Sequence, residues 1–339
     1  MKVIADLKFP KSICVQTGSL DPNRERIIPA QIVVIKNNIE FLPYIDPLEI
    51  YLNQHNSSIG KTWDLHNDNF AKKIANYEYE NIVEIGGGSG NIYKKYKLIN
   101  KNINWTLIDL NPTIVDENVK VIKDKYNINY INKNDTVISS HFVEHINDIE
   151  NYFVELRSKN PKYHIFSIPN FKKYAESKFC STLMFEHPHF LTEERIEYIL
   201  QKTQWRILEK NYYRDHSIFF VTEPSNHSVD IEDFNIDQSQ LIIDWIDYIK
   251  RRSEDVKRIE KFYVFGAHFP YYYFLNFGVK EEQIIAVVDN DKLKCGRRMY
   301  GTNTKVIHSS DLSVNSDIVV EMGPYTHEIK DNLLGMNFI

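Results

Sequence analysis

The sequence predicts an α/β protein. A mostly parallel sheet, covered on both faces, follows a short irregular module and precedes a second, smaller α/β domain. Three observations predict this. From about Lys61 onward, strand-like and helix-like runs alternate, the pattern of successive βαβ units. A glycine-rich loop, VEIGGGSG, closes the first strand-like run of that region. After a polar, acidic stretch, SNHSVDIEDFNIDQSQ, the same rhythm starts again.

Taken in order, residues 1–60 carry short strand-like runs (Ala30 to Ile35, Ile39 to Leu42) broken by Pro29, Pro43 and Pro47, since proline cannot donate to a ladder. DNFAKKIANY reads as a helix leading into NIVEIGGGSG. WTLIDL, VKVI and DTVISSH read as strands, INDIENYFVELRSK as a helix and YHIFSIPN as a strand. TEERIEYILQKT reads as a helix that Thr192 can cap, with Arg195 in place of the glutamate of a full capping box. WRILEKNYY and HSIFFVTE read as a hairpin-like pair. Beyond the acidic linker, SQLIIDWIDYIKRRSEDVKRIEK reads as a long amphipathic helix. KFYVFGAH, YYYFLNFG, IIAVVDND and SDIVVEMG then repeat strand, helix, strand, strand, with YYYFLNF as a buried helix face. The expected domains are 1–60, 61–225 and 226–339, in keeping with a chain of 339 residues.

A formal net charge of −5 argues against a general nucleic-acid binder. The start, MKVIADLKFPKSICV, lacks a signal-peptide core. No apolar run approaches the roughly 20 residues of a membrane span. The three cysteines, Cys14, Cys180 and Cys295, are scattered and form no C-x-x-C pair, which suits a reducing compartment. The expectation is a cytoplasmic protein with no membrane or nucleic-acid partner and no metal.

In VEIGGGSG, glycines at 86, 87, 88 and 90 follow the strand end Glu84-Ile85. Glycine lets the backbone turn tightly and approach a ligand. The dinucleotide fingerprint needs a glycine at 91, which is Asn91. Asp109 ends the next strand-like run, where a carboxylate can hydrogen-bond both hydroxyls of a ribose. The expected ligand is an adenosine with no pyrophosphate on the loop. Further on, SHFVEHI contains His141-x-x-Glu144-His145, a zinc-peptidase pattern when it lies within a helix. Here it stands where a strand ends, so the hydrolase reading is set aside. The segment MFEHPHFL offers Glu186, His187 and His189 on the loop after the strand YHIFSIPN. An imidazole titrating near neutrality can take a proton in a transition state.

EIGGGSG, LIDL and SSHFVEHI together resemble the class I S-adenosylmethionine (SAM) methyltransferases, with their Rossmann-like fold. The resemblance implies SAM as cofactor, held by Glu84, Gly86, Gly87, Gly88, Gly90, Asp109, Leu110, His141 and Phe142. From about Tyr51 the order of parts is similar to bacterial sugar C-methyltransferases acting on nucleotide-linked ketosugars. Those have a small N-terminal zinc module, a SAM domain and a C-terminal Rossmann-like domain. FEHPHFLTEERIEYIL, then FGAH, VVDND, CGRRMYGT and THEI carry that likeness. It implies His187 as general base with Glu186 as its carboxylate, and His268, Asp289 and Arg297 on the substrate, with Arg298 also able to meet phosphates. Three departures stand out. Only Cys14 remains of the four zinc-module cysteines, Met184 occupies the position of a tyrosine, and Tyr300 that of the proline in the family's P-G-T. C-methylation, O-methylation of a sugar or of another small molecule, and a non-catalytic binding or scaffold role all remain open at this point.

Overall fold

The computed structural model describes residues 1–12, 15, 22–51, 60–179, 182–226 and 232–339. Cys14, Cys180 and His55 lie outside these. In chain order the strands are β1 (Lys2–Pro10), β2 (Ile27–Ile35), β3 (Asn38–Leu42), β4 (Asn81–Ile85), β5 (Asn104–Asp109), β6 (Val119–Lys123), β7 (Thr136–Ser140), β8 (Tyr163–Pro169), β9 (Trp205–Tyr213), β10 (Ser217–Pro224), β11 (Phe262–Phe265), β12 (Ile284–Val288), β13 (Val306–Ile307), β14 (Asp317–Val319) and β15 (Asn337–Phe338). The helices are α1 (Pro47–Tyr51), α2 (Lys61–Ala75), α3 (Asn91–Lys97), α4 (Ile149–Ser158), α5 (Phe171–Glu176), α6 (Glu193–Lys202), α7 (Ser239–Val256), α8 (Phe269–Asn276) and α9 (Thr326–Asn332).

Two compact units result. One contains Ser58–Asn170 and Leu191–Asn235; the other contains Met1–Ser57, Phe171–Phe190 and Ile236–Ile339. The N-terminal segment, expected as a module of its own, therefore shares a unit with the C-terminal segment and with Phe171–Phe190, which carries Glu186, His187 and His189.

The first of these units is built on a seven-stranded sheet in the order β6-β5-β4-β7-β8-β10-β9. Its strands are parallel except β10, which runs antiparallel to both β8 and β9. β4, β7 and β8 are buried almost throughout, as strands covered on both faces must be. On one face Phe70, Ala71 and Ile74 of α2 pack with Ile92, Tyr93 and Tyr96 of α3 against Ile82, Trp105 and Leu107. Thr192 caps α6, its Oγ1 accepting from the Arg195 N–H at 3.4 Å. The chain runs from β4 outward to β6, then crosses to β7 on the other side of β4. That reversal makes the carboxyl ends of β4 and β7 the switch point at which doubly wound sheets bind ligands.

The second unit holds two sheets. β1-β2-β3 is an antiparallel meander, so this segment is regular where irregular structure was expected. Pro29 is tolerated within β2 because it faces Lys8 of β1 at a point beyond the reach of β3, whose last residue, Leu42, pairs with Gln31. The other sheet, β13-β12-β11-β14-β15, is wholly parallel. As expected, the YYYF run of α8 is buried, in Tyr271, Tyr272, Tyr273 and Phe274. Phe9 of β1 meets Phe269, Tyr272 and Tyr273, and Trp245 of α7 meets Tyr273 edge-on. These aromatic contacts join the N-terminal meander to the C-terminal segment within one core.

Candidate functional site

The glycine loop begins directly after β4. Gly86, Gly88 and Gly90 have φ of 72°, 49° and 70°, the left-handed region that side chains resist. Gly87 has no room for one: a Cβ there would meet Leu107 Cδ1 at 2.6 Å and Glu84 Cδ at 2.7 Å. Gly90 stands at the N-terminus of α3. Asp109, 8% exposed at the end of β5, braces the turn. Its Oδ2 accepts from the Gly88 N–H at 2.9 Å and its Oδ1 from the Asn111 N–H at 2.7 Å. Each carboxylate oxygen keeps a further lone pair for a ligand hydroxyl. Leu110, the next residue, is half-buried.

Phe142 closes against the loop, its ring carbon 3.0 Å from where a Gly86 Cβ would be. Tyr126, which the sequence did not single out, stands edge-on to Phe142 at 6.3 Å. Its hydroxyl is buried with no hydrogen-bond partner among the described residues. That orphaned donor beside the loop fits a polar ligand absent from the protein alone.

Glu84 is buried beneath the loop, its Oε2 accepting from the Trp105 indole N–H at 2.9 Å. Burial pushes its carboxyl up to about 7; the Trp105 hydrogen bond opposes this and the Asp109 charge adds to it. Between the ordinary value of 4.5 and about 7 the folded chain holds a proton that the unfolded chain releases. The stability contributed by the neutral carboxyl is therefore complete below 4.5 and is lost as pH rises to about 7. Urea midpoints measured across this window should fall for the ligand-free parent, and the slope should flatten in Glu84→Gln. An equal slope in both proteins would place the proton elsewhere.

His141 follows β7 with φ of 50°, and Val143–His145 forms a single 3-10 turn. The His141-x-x-Glu144-His145 segment is thus no α-helix, and the zinc-peptidase arrangement does not form. The His141 ring turns toward His66 on α2 and His216 before β10, with its Nε2 2.7 Å from Ser217 Oγ. Sequence reasoning missed His66, His216 and Ser217.

In the other unit, Met184 to His187 is a tight turn: the His187 N–H donates to the Met184 carbonyl at 3.0 Å and the Met184 N–H to the His187 carbonyl at 3.3 Å. Glu186 is buried, its Oε2 accepting from the Tyr51 hydroxyl of α1 at 3.1 Å. His187 is half-buried with its ring against Phe171, while His189 lies beside Tyr44.

The residues expected on the substrate lie around the parallel sheet of the same unit. Asp289 directly follows β12 and repeats the Asp109 construction: its Oδ2 accepts from the Ala267 N–H at 2.9 Å. Lys294 stands 3.2 Å from that carboxylate, so its charge is already matched. Burial first, and Lys294 second, hold His268 down at about 3, so it would meet a phosphate as a neutral imidazole. Arg298 is also spoken for. Its guanidinium grips both Glu25 oxygens, at 2.9 and 2.7 Å, with Glu25 buried. Arg297 is exposed.

No family model and no curated protein matches the chain. Solved structures do. An S-adenosylmethionine-dependent methyltransferase from Clostridium acetobutylicum is 15% identical over 47% of this chain and 91% of its own, with a TM-score of 0.37. Magnesium protoporphyrin IX methyltransferase from Synechocystis, with bound S-adenosylhomocysteine (SAH), is 14% identical over 50% and 90%, at 0.38. An O-methyltransferase family protein from Burkholderia thailandensis is 9% identical over 48% and 56%, at 0.39.

Proposed function

We propose that this chain is a SAM-dependent methyltransferase acting on a sugar or nucleotide-sugar, with His187 as general base. One observation carries the cofactor assignment. A loop with three left-handed glycines, braced by Asp109, stands at the switch point of the seven-stranded sheet. Asp109 would hold the ribose hydroxyls, and Phe142 and Leu110 would flank the base. Glu84 would sit beneath the methionine end, where a ligand ammonium group would favour its ionised form.

When bound, SAM supplies a methyl group on a sulfonium, already a good leaving group. The chain's own task is to hold the acceptor in line and make it nucleophilic. His187 would take a proton from the carbon beside a sugar ketone, or from a hydroxyl, and Glu186, fixed by Tyr51, would keep the turn in place. Asp289, His268 and Arg297 remain candidates for the substrate's far end, with Arg297 the exposed cation among them.

Calorimetric titration with SAM and SAH tests the assignment. One site per chain is expected for each. Absence of binding to both would favour a scaffold role on the same fold.

A further inference from the structure

We infer that His66, His141 and His216 form a binding site for a divalent transition-metal ion, zinc being the best match. The three rings come from elements far apart in the chain: α2, the residue after β7, and the turn before β10. Their centroids stand 5.2, 5.2 and 5.3 Å apart, close to an equilateral triangle. One nitrogen from each lies within 4.8 Å of the others. Three imidazoles bound at about 2.0–2.1 Å to a tetrahedral ion would place their centroids about 5.2 Å apart. The observed triangle has that size.

Three nitrogens aim at one point. His141 Nε2 lies 2.7 Å and His66 Nδ1 3.2 Å from Ser217 Oγ, and His216 Nδ1 contacts the same atom. A hydroxyl has one proton and two lone pairs, so three imidazoles saturate it. The serine oxygen holds the place an ion would take, so binding requires it to turn aside.

The outer atoms complete the pattern. His66 Nε2 is 3.0 Å from Ser140 Oγ, which accepts from Ser167 Oγ at 3.1 Å. His141 Nδ1 is 3.5 Å from Glu144 Oε1. Metal-bound imidazoles characteristically turn their second nitrogen to such a hydroxyl or carboxylate. Glu144 supplies an independent observation. It is 0% exposed, and neither oxygen has a hydrogen-bond partner among the described residues. The Nδ1–H of a metal-bound His141, whose nitrogen already lies 3.5 Å from Oε1, would give this buried carboxyl the partner it lacks. Trp63 stands edge-on to all three rings, at 4.7 to 5.2 Å, and gives the site a dry wall. Three neutral nitrogen donors suit zinc and its first-row neighbours rather than magnesium or calcium. Ligand-set spacing gave no warning of this, and the expectation of no metal rested on the cysteines.

The test needs no methyl acceptor and does not depend on the SAM assignment. The full chain, stripped with a chelator, is titrated with zinc sulfate by calorimetry, and zinc is counted by elemental analysis after gel filtration. One zinc per chain is expected, and cobalt(II) in its place should give the visible bands of a tetrahedral site. His66→Ala and His216→Ala should weaken zinc binding about 100-fold or more. Glu144→Gln should weaken it about 10- to 100-fold, the usual worth of an outer partner. Should either alanine variant fail to fold by circular dichroism, the partly exposed His141 is read instead as His141→Gln, with the same expected loss. Failure of the parent chain to retain zinc, or retention undiminished in these variants, would overturn the assignment and leave a hydrogen-bonded serine hub.

Discussion

Asp109→Ala should weaken SAH binding by about 1–3 kcal/mol, the scale of a lost hydrogen-bond partner that carries charge. Two losses combine. The ribose hydroxyls lose their acceptor, and the Gly88 N–H, now held at 2.9 Å, loses the brace that keeps its left-handed turn. Asp109→Asn separates them. Its amide oxygen can still accept from the Gly88 N–H, so the loop stays braced while the charge is gone, and affinity should fall between parent and alanine variant. Asp289→Ala removes the same construction from the other sheet and should leave SAH affinity as in the parent. Calorimetry reads all three, with thermal melting to separate loss of fold from loss of binding. Unchanged affinity in Asp109→Ala would take the ligand off this loop.

The glycine loop and Asp109 were legible because their chemistry is local. A strand end, glycines that must adopt positive φ and an acidic residue one strand later stand in a fixed sequence relation. The long regular strands and helices from Lys61 onward were legible by their periodicity. The meander was legible only in part: the runs Ala30 to Ile35 and Ile39 to Leu42 lie in β2 and β3, but β1 was not read. In KVIADLKFP the buried positions alternate with charged ones, and Pro29 reads as a breaker until the partners show that β2 has a free side there. Long-range polar partnerships left no trace either. Arg298 clasps Glu25, 273 residues away, so an arginine that looks available for phosphate is committed to holding the fold. The histidine triangle is the extreme case. His66 and His216 sit in unremarkable local contexts, His141 stands in a motif that points elsewhere, and only the order of the seven strands brings the three rings together.

His187→Asn is the sharpest test of the chemistry. If His187 is the general base, the variant should bind SAH nearly as the parent does, since the glycine loop and Asp109 are untouched. Turnover of an accepted sugar substrate should fall roughly a hundredfold or more, the usual worth of a positioned base. The Met184–His187 turn is held by main-chain hydrogen bonds that asparagine keeps, so the turn should survive although part of the packing on Phe171 is lost. The pH profile gives a second readout. In the parent, turnover should fall on the acid side, because a protonated imidazole cannot accept the substrate proton; in His187→Asn that limb should vanish. His189 is the internal control: its ring lies beside Tyr44 rather than Phe171, and His189→Asn should keep most of the turnover. Parent-like turnover in His187→Asn would move the proton transfer off this turn, and Tyr51, which donates to Glu186 at 3.1 Å, would be the next residue to replace.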